Sequence, residues 1–423
     1  MSTDLERYRI RGAKQLKGTL RVSGAKNAAL PILAASLLTG ESCLIENCPD
    51  IADVDQMKYI ISSLGGRIGE EGGGLAVQTE ALSASSVSQE LSESMRSSLF
   101  TAGPLLARLG QAEFYEPGGC RIGARPIDLH LSVFSALGAE ITRDGRKILC
   151  RAGKNGLSGA KIRLPCPRVG ATENAMCAAV LAQGTTVLSG AAQEPEIEDL
   201  AHFLQDCGAQ IEGAGSPMIR IRGVRTLHGA RHRIIPDRIE CGTFLLAAAA
   251  AGGEVFLERG SGRHLEQLLE ILSGCGCRIE QDRIGIALRA PERLLAAHRV
   301  QTAPYPAFPT DLQPQLLAAL CAAQGISDIE ETVFENRFGI AGELRKMGAV
   351  IEICGKHAII DGTESLHGAE IRAQDLRGGA GLVIAALAAE GQSLISGIEH
   401  INRGYCRFSE RLAALGAEIE RIL

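Results

Sequence analysis

The chain has 423 residues, 45% of them hydrophobic and 22% charged, with a formal net charge of -5. That length points to two or three domains, and that balance is one of a globular chain, which excludes disorder as a description of the whole. Trp is absent, aromatics are only 4% and no long basic run occurs, which argues against stacking on sugars or bases and against a phosphate-backbone binder.

The N-terminal residues MSTDLERYRIRG lack the apolar stretch of a secretory signal. The most apolar run, residues 243–252, is about half a membrane span. The thirteen Cys form no CxxC pair and no His stands at zinc-ligand spacing. A cytoplasmic protein with reduced, mostly buried thiols is therefore expected.

A short motif then recurs along the chain: a hydrophobic residue or Cys, Gly, a small residue, one further residue, and Ile. Its glycines are Gly65, Gly138, Gly208, Gly276, Gly348 and Gly416, spaced by 73, 70, 68, 72 and 68 residues. Six units of similar length are expected. Before each glycine lies an amphipathic stretch, as from 53, 128, 197 and 408, with apolar residues three and four apart. The glycine is then a helix C-cap and the Ile opens a strand.

A second helix in each unit is apolar nearly all round. These begin near 27, 97, 174, 242, 312 and 381, are rich in small residues, and are expected to be buried. Short strands follow them, so each unit reads as βαβαββ. The sixth stops at Leu423 without its final strand-loop-strand, which RYRIRGAKQLKGTLRVSG (7–24) resembles. The expected domains are residues 24–235, carrying the Cys120 loop, and residues 1–23 with 236–423, completed by the N-terminal strand. The two chain crossings make a hinge suited to closure over a ligand.

Polar residues gather where the apolar helices begin: Lys26-Asn27, Arg96, Glu173-Asn174, Asp237-Arg238-Glu240, Asp311 and Arg377. Helix N-termini favour anions, and Lys26, Arg96 and Arg377 add full positive charge there. Arg337 and Arg403 precede amphipathic stretches and extend this set for a small, multiply charged anion. The loop EPGGCRIGARP (116–126) sets Cys120 beside Arg121 and Arg125, which favours the thiolate. Asp311, after the turn APYPAFPT, reads either as a helix N-cap or as a base for a hydroxyl. Glu194, Glu196 and Glu198 read as an acidic first helical turn.

The segments SGAKNAALPIL (23), MRSSLFTAGPLLARLG (95), PGGCRIGARPIDLH (117), VGATENAMCAA (169), EPEI (194), PDRIECGTFL (236), PAFPTDLQPQ (306), ETVFENRF (331), DLRGGAGLV (375) and HINRGY (400) carry a resemblance over nearly the whole chain. It resembles the UDP-N-acetylglucosamine 1-carboxyvinyltransferases, a branch of the enolpyruvyl transferases. The resemblance implies an α/β (α+β) fold, a two-domain inside-out α/β barrel with three βαβαββ repeats per domain and the active site between domains. It implies transfer of the enolpyruvyl group of phosphoenolpyruvate to the 3-hydroxyl of UDP-N-acetylglucosamine, the first committed step of peptidoglycan synthesis.

By the same resemblance, Cys120 protonates the phosphoenolpyruvate methylene, and Asp311, Lys26 and Arg403 complete the catalytic set. Lys26, Asn27, Arg125, Arg337, Arg377 and Arg403 surround phosphoenolpyruvate. Asn27, Arg96, Arg125, Pro126, Ile127, Asp128, Leu129, Cys166, Pro167, Arg168, Val169, Asp311 and Val333 contact the nucleotide sugar. No cofactor or metal is implied, and the partners are these small molecules rather than nucleic acid or membrane. The chain departs from the family pattern at Arg168 (usually Ser), around Ile340 (often His), at Asn402 (commonly Asp) and at Cys241 (usually Thr). The sister branch acting on shikimate 3-phosphate, and a nucleotide-sugar-binding regulator, are the alternative readings.

Overall fold

The structure, a computed structural model, describes residues 6–12, 14–117, 123 and 126–423. These form two compact units. The first contains residues 24–117 and 126–235, and the second residues 6–12, 14–23, 123 and 236–423. Each unit holds three sheets.

One plan recurs in these sheets. In the first unit, the strand order Lys161–Arg163, Thr185–Ser189, Met218–Arg222, Gln210–Glu212 is an example. The outermost pair is parallel and the rest are antiparallel. Parallel neighbours need a crossover, which the helix Val169–Ala179 supplies here. A second sheet orders Arg231–Arg233, Cys43–Glu46, Gly74–Gln78 and Arg67–Glu71. A third has Gln111–Tyr115, Lys147–Arg151 and Glu140–Asp144, with a parallel bridge from Ser86 to Glu113 at its edge.

The second unit repeats the plan, using the N-terminal segment twice. Lys17–Arg21 is the parallel edge beside Glu254–Glu258. Arg7–Arg11 lies between Gln392–Ser396 and Glu418–Ile422, antiparallel to both. It occupies the place that Met218–Arg222 or His357–Asp361 takes in another sheet. The end of this segment is pinned within the unit: Glu240 accepts the Ser23 N–H at 2.8 Å and pairs with Arg411 at 2.7 Å.

The six repeat glycines explain the regularity. Their φ angles run from +88° to +100°, a region that costs a residue with Cβ about 1–2 kcal/mol. Each follows an outer helix, for example Pro195–Asp206. There Gly208 N–H donates to the Gln205 carbonyl at 2.8 Å and Ala209 N–H to that of Leu204 at 2.9 Å. The same pair of bonds closes all six outer helices, so carbonyls that the helix ends would orphan are satisfied. The carbonyl before the glycine accepts from the strand-leading segment, His228 N–H to Cys207 at 3.0 Å and His367 N–H to Met347 at 2.9 Å. In the last repeat that donor is Lys17, at 2.8 Å from the Leu415 carbonyl.

The inner helices are Lys26–Ala35, Ala102–Leu109 and Val169–Ala179 in the first unit, and Arg238–Ala250, Gln313–Leu320 and Leu376–Ala388 in the second. Every residue from Arg238 to Ala249 is buried. Strands such as Met218–Arg222 alternate exposed and buried positions. Helices therefore lie inside and sheets outside, each sheet wet on one face. Among the described residues no sheet closes into a hydrogen-bonded barrel.

One inner helix is shorter than its sequence pattern. Residues 96–101 form a 3-10 helix before Ala102–Leu109. The Asn174 amide sits at this junction, accepting from Gly103 N–H at 2.8 Å and donating to the Leu99 carbonyl at 3.1 Å. Those two groups are the i and i−4 partners of an uninterrupted α-helix, and Pro104 has no N–H to continue the ladder. Elsewhere, close approach of neighbouring main chain fixes further glycines. An ideal Cβ on Gly159 would lie 2.5 Å from the Thr185 carbonyl oxygen, whereas one on Gly138 would meet nothing within 4 Å.

Gly138→Ala is accordingly expected to cost only its backbone strain, about 1 kcal/mol. Gly159→Ala is expected to cost more, because a main-chain atom cannot yield. Urea midpoints of the two variants check the ordering.

Candidate functional site

In the second unit, Asp311 lies in the 3-10 turn Thr310–Leu312 that leads into the helix Gln313–Leu320. Its two pseudo-equivalents, Asp237 and Asp375, are N-caps: each carboxylate accepts two N–H groups of its own helix. Asp311 does not cap. Its Oδ1 accepts from Arg337 at 3.0 Å, and its Oδ2 accepts from Arg377 Nε and a terminal nitrogen at 3.2 and 3.1 Å. The N-cap reading is thereby corrected: the guanidinia outcompete neutral amides for the carboxylate. Asp375 lies 3.8 Å from the other side of Arg337.

Both arginine side chains are nearly inaccessible, at 2% for Arg337 and 4% for Arg377. Removing the charge of a buried partner typically costs about 3–5 kcal/mol, so Asp311 also holds this part of the fold together. Thr310 is fixed from both sides, its carbonyl accepting from Arg337 at 3.1 Å and its hydroxyl donating to Glu331 at 3.0 Å. Glu331 in turn accepts the N–H groups of Val333 and Phe334. Val333 is thus placed by its main chain. Arg403 follows the short helix Glu399–Asn402 and is half-buried, as is Asn402. Ile340 closes the 3-10 turn that starts at Arg337 and is buried. Gly339 beside it lines a cavity of about 110 Å³ with Asp375.

In the first unit, Lys26 is the first residue of its helix and pairs with Asp53 at 2.7 Å. The chain itself therefore supplies the anion that a cation at a helix N-terminus requires. Asn27 is half-buried next to it. Arg96 opens the 3-10 helix rather than an α-helix, and it approaches the Pro126 carbonyl at 3.5 Å, long for a hydrogen bond. Pro126 and Asp128 are exposed, Ile127 is buried and Leu129 is half-buried. Cys166, Pro167 and Val169 are half-buried and Arg168 is exposed, just ahead of the helix Val169–Ala179. Cys120 and Arg125 lie outside the described residues. The structure thus gathers Asp311, Arg337 and Arg377 into one cluster, and holds Lys26, Asn27 and Arg96 in the other unit.

Sequence reasoning missed three features here. Asp53 is the partner of Lys26, and only folding brings it there. His130 is buried with Asn174 Nδ2 at 3.0 Å from its Nδ1. Asn174 has spent its other proton on Leu99, so His130 Nδ1 accepts and its proton sits on Nε2. Burial, and then the charge of Arg96, push the imidazole pKa down to about 3, so it is neutral. Glu173 is the third feature. Both its carboxyl oxygens are buried without a hydrogen-bond partner among the described residues. Burial, reinforced by Glu196 and Glu194, pushes the carboxyl well above the usual range. Glu196 is itself buried, and it stands with Glu198 in the first turn of the helix Pro195–Asp206, as the sequence reads.

Cys241 is a buried thiol that burial pushes up, and it packs where Gly260 leaves space. The described cysteines are free, most of them buried. Among the described residues no helix is long and apolar enough to cross a membrane, and no group of three or more His, Cys, Asp or Glu is placed to hold a metal.

The sequence profile of the family described as EPSP synthase (3-phosphoshikimate 1-carboxyvinyltransferase) matches residues 10–412. The chain is 47% identical to UDP-N-acetylglucosamine 1-carboxyvinyltransferase 1 of Caldanaerobacter subterraneus subsp. tengcongensis, over 98% of this chain and 99% of that protein. It is 46% identical to the UDP-N-acetylglucosamine 1-carboxyvinyltransferase of Rhodospirillum centenum, over 99% of both. The crystal structure of the enolpyruvyl transferase NikO from Streptomyces tendae matches with a TM-score of 0.88 at 27% identity, over 99% of each chain. EPSP synthase from Acinetobacter baumannii matches at 0.76 and 20% identity over 99% of this chain and 100% of that one, a likeness of fold.

Asn174→Ala is expected to orphan the Gly103 N–H and the Leu99 carbonyl at about 1–3 kcal/mol per group, read as a lowered urea midpoint. Glu173 gives a pH signature. Its folded pKa is raised, so the neutral folded form is favoured below the ordinary carboxyl value and stability falls as pH rises above it. Glu173→Gln keeps the shape and removes the titration. Its stabilisation relative to the parent chain is expected to be larger at pH 8 than at pH 5, checked by thermal unfolding at both.

Proposed function

This chain belongs to the enolpyruvyl transferase family, with UDP-N-acetylglucosamine 1-carboxyvinyltransferases among its relatives, and from that premise we propose that it transfers the enolpyruvyl group of phosphoenolpyruvate to the 3-hydroxyl of UDP-N-acetylglucosamine. Phosphate is released, and the product feeds peptidoglycan synthesis in the cytoplasm. The observation that carries the reading is 47% identity over 98% of the chain to a protein of that name.

The residues suit the chemistry. Protonation of the methylene carbon makes C2 of phosphoenolpyruvate electrophilic, and the sugar oxygen adds to it as its proton leaves. Loss of a methyl proton then expels phosphate. Cys120, beside Arg121 and Arg125 in sequence, is assigned as the acid for the first step. Asp311 is assigned to the hydroxyl proton. A carboxylate held by two guanidinia is a poor base, but phosphoenolpyruvate brings a carboxylate and a phosphate that compete for those guanidinia. As Arg337 and Arg377 turn to the substrate, Asp311 becomes free to accept a proton. Lys26, Asn27, Arg125 and Arg403 complete the set around phosphoenolpyruvate, and cations at the phosphate favour its departure. Arg96, Pro126, Ile127, Asp128, Leu129, Cys166, Pro167, Arg168, Val169 and Val333 are assigned to the nucleotide sugar.

A second reading, transfer to shikimate 3-phosphate, has the matching family's own description behind it. Phosphate release separates the two. It is expected with phosphoenolpyruvate and UDP-N-acetylglucosamine together, and not with either alone or with shikimate 3-phosphate as acceptor. Cys120→Ala is expected to abolish most of it while nucleotide-sugar binding persists. Release with shikimate 3-phosphate only would reassign the acceptor, and silence with both in a folded protein that binds the UDP sugar would point to a regulator.

A further inference from the structure

We propose that Tyr405, Gln315 and Thr243 are positioning residues that together fix Asp311 for its proton transfer; this rests on the assignment of Asp311 made above. All three are buried in the second unit, at 2% exposure for Tyr405 and 0% for the other two.

The direction of each hydrogen bond follows from counting protons. The Thr243 hydroxyl has one proton and lies 2.7 Å from the Ile239 carbonyl, which can only accept. The bond of 2.9 Å between Thr243 and Tyr405 must then be donated by the phenol. The phenol oxygen is left to accept from Gln315 Nε2 at 3.1 Å, which also lies 3.2 Å from the Thr243 hydroxyl. The remaining Gln315 proton goes to the main-chain carbonyl of Asp311, at 2.9 Å.

The other end of Asp311 is reached through the same phenol. The Arg377 guanidinium carbon lies 5.4 Å from the centre of the Tyr405 ring, within cation–π range. That guanidinium donates twice to Asp311 Oδ2. The result is a closed circuit: Asp311 carboxylate, Arg377, Tyr405 ring, Tyr405 hydroxyl, Gln315, Asp311 carbonyl. Phe408 packs against the Tyr405 ring at 4.7 Å between centroids, the planes tilted by 32°, and holds it in place. Burial raises the phenol pKa, which keeps it a donor at neutral pH. Packing alone would be served by Phe, Leu and Val, which bring no desolvation cost. The polar set makes sense where an orientation has to be kept while Arg337 and Arg377 change partners.

The test compares Tyr405→Phe, which keeps the ring and its contact with Arg377, with Gln315→Leu and Asp311→Asn, each shown to be folded by circular dichroism. Tyr405→Phe and Gln315→Leu are expected to lower kcat about 10- to 100-fold, the usual consequence of small misplacement, with KM for both substrates nearly unchanged. In the Asp311→Asn background, Tyr405→Phe is expected to lower the residual kcat no further, since it acts through Asp311. Wild-type kcat in both Tyr405→Phe and Gln315→Leu, with Asp311→Asn impaired, overturns the positioning role alone. So does a loss from Tyr405→Phe that persists in full in the Asp311→Asn background. Wild-type turnover of Asp311→Asn overturns the assignment of Asp311 and this proposal with it.

Discussion

A helix buried on every side has no water for its first N–H groups, and that constraint organises this molecule. The inner helices have largely apolar middles, and several of their polar side chains sit where N-termini need partners. Asp237 and Asp375 meet the need directly as caps. Asn174 meets a related need, bridging the Leu99 carbonyl and the Gly103 N–H where a 3-10 segment replaces α-helix. The polar atoms required by the backbone thus collect at one end of the inner helices within each unit.

The candidate site grows out of the same places. Lys26 and Arg377 add cations to helix starts whose dipoles already favour anions, and each is balanced by an internal carboxylate, Asp53 or Asp311. On the proposed assignments a substrate anion would compete with the internal carboxylate for each of these cations. Asp311 differs from Asp237 and Asp375 in one respect: its carboxylate is not committed to the backbone. Its own main chain is instead held by the amide of Gln315.

The repeats were legible because their signal is local. Six glycines at positive φ end six outer helices, and no other residue type takes that conformation so cheaply. The apolar inner helices were legible for the same reason, their burial being written into an unbroken run of small and aliphatic residues. The charges at helix starts were also visible, but not their partners. Nothing in the local pattern joins Lys26 to Asp53, or Asp311 to residues 26 and 66 positions further on. The 3-10 segment before Ala102 was missed because its cause, Asn174, lies on a different helix. Glu173 was seen as polar residue at a helix start, while its isolation from any donor is a property of the packed unit. Cys120 and Arg125 lie outside the described residues.

The strand Arg7–Arg11 gives the chain an order of assembly. Its neighbours are Gln392–Ser396 and Glu418–Ile422, so it pairs only with strands far along the chain. The Arg9–Glu420 pair spans 411 residues of sequence. On the ribosome, residues 24–235 contain all three sheets of their unit and have every strand partner before the chain is half as long again. The strand Arg7–Arg11 has none until residues 392–396 and 418–422 have been made. Until then its edge groups stand unpaired, and the sheet it will join lacks an inner strand. Loss of residues 418–422 therefore damages the fold at Arg7–Arg11 as much as where the residues were lost.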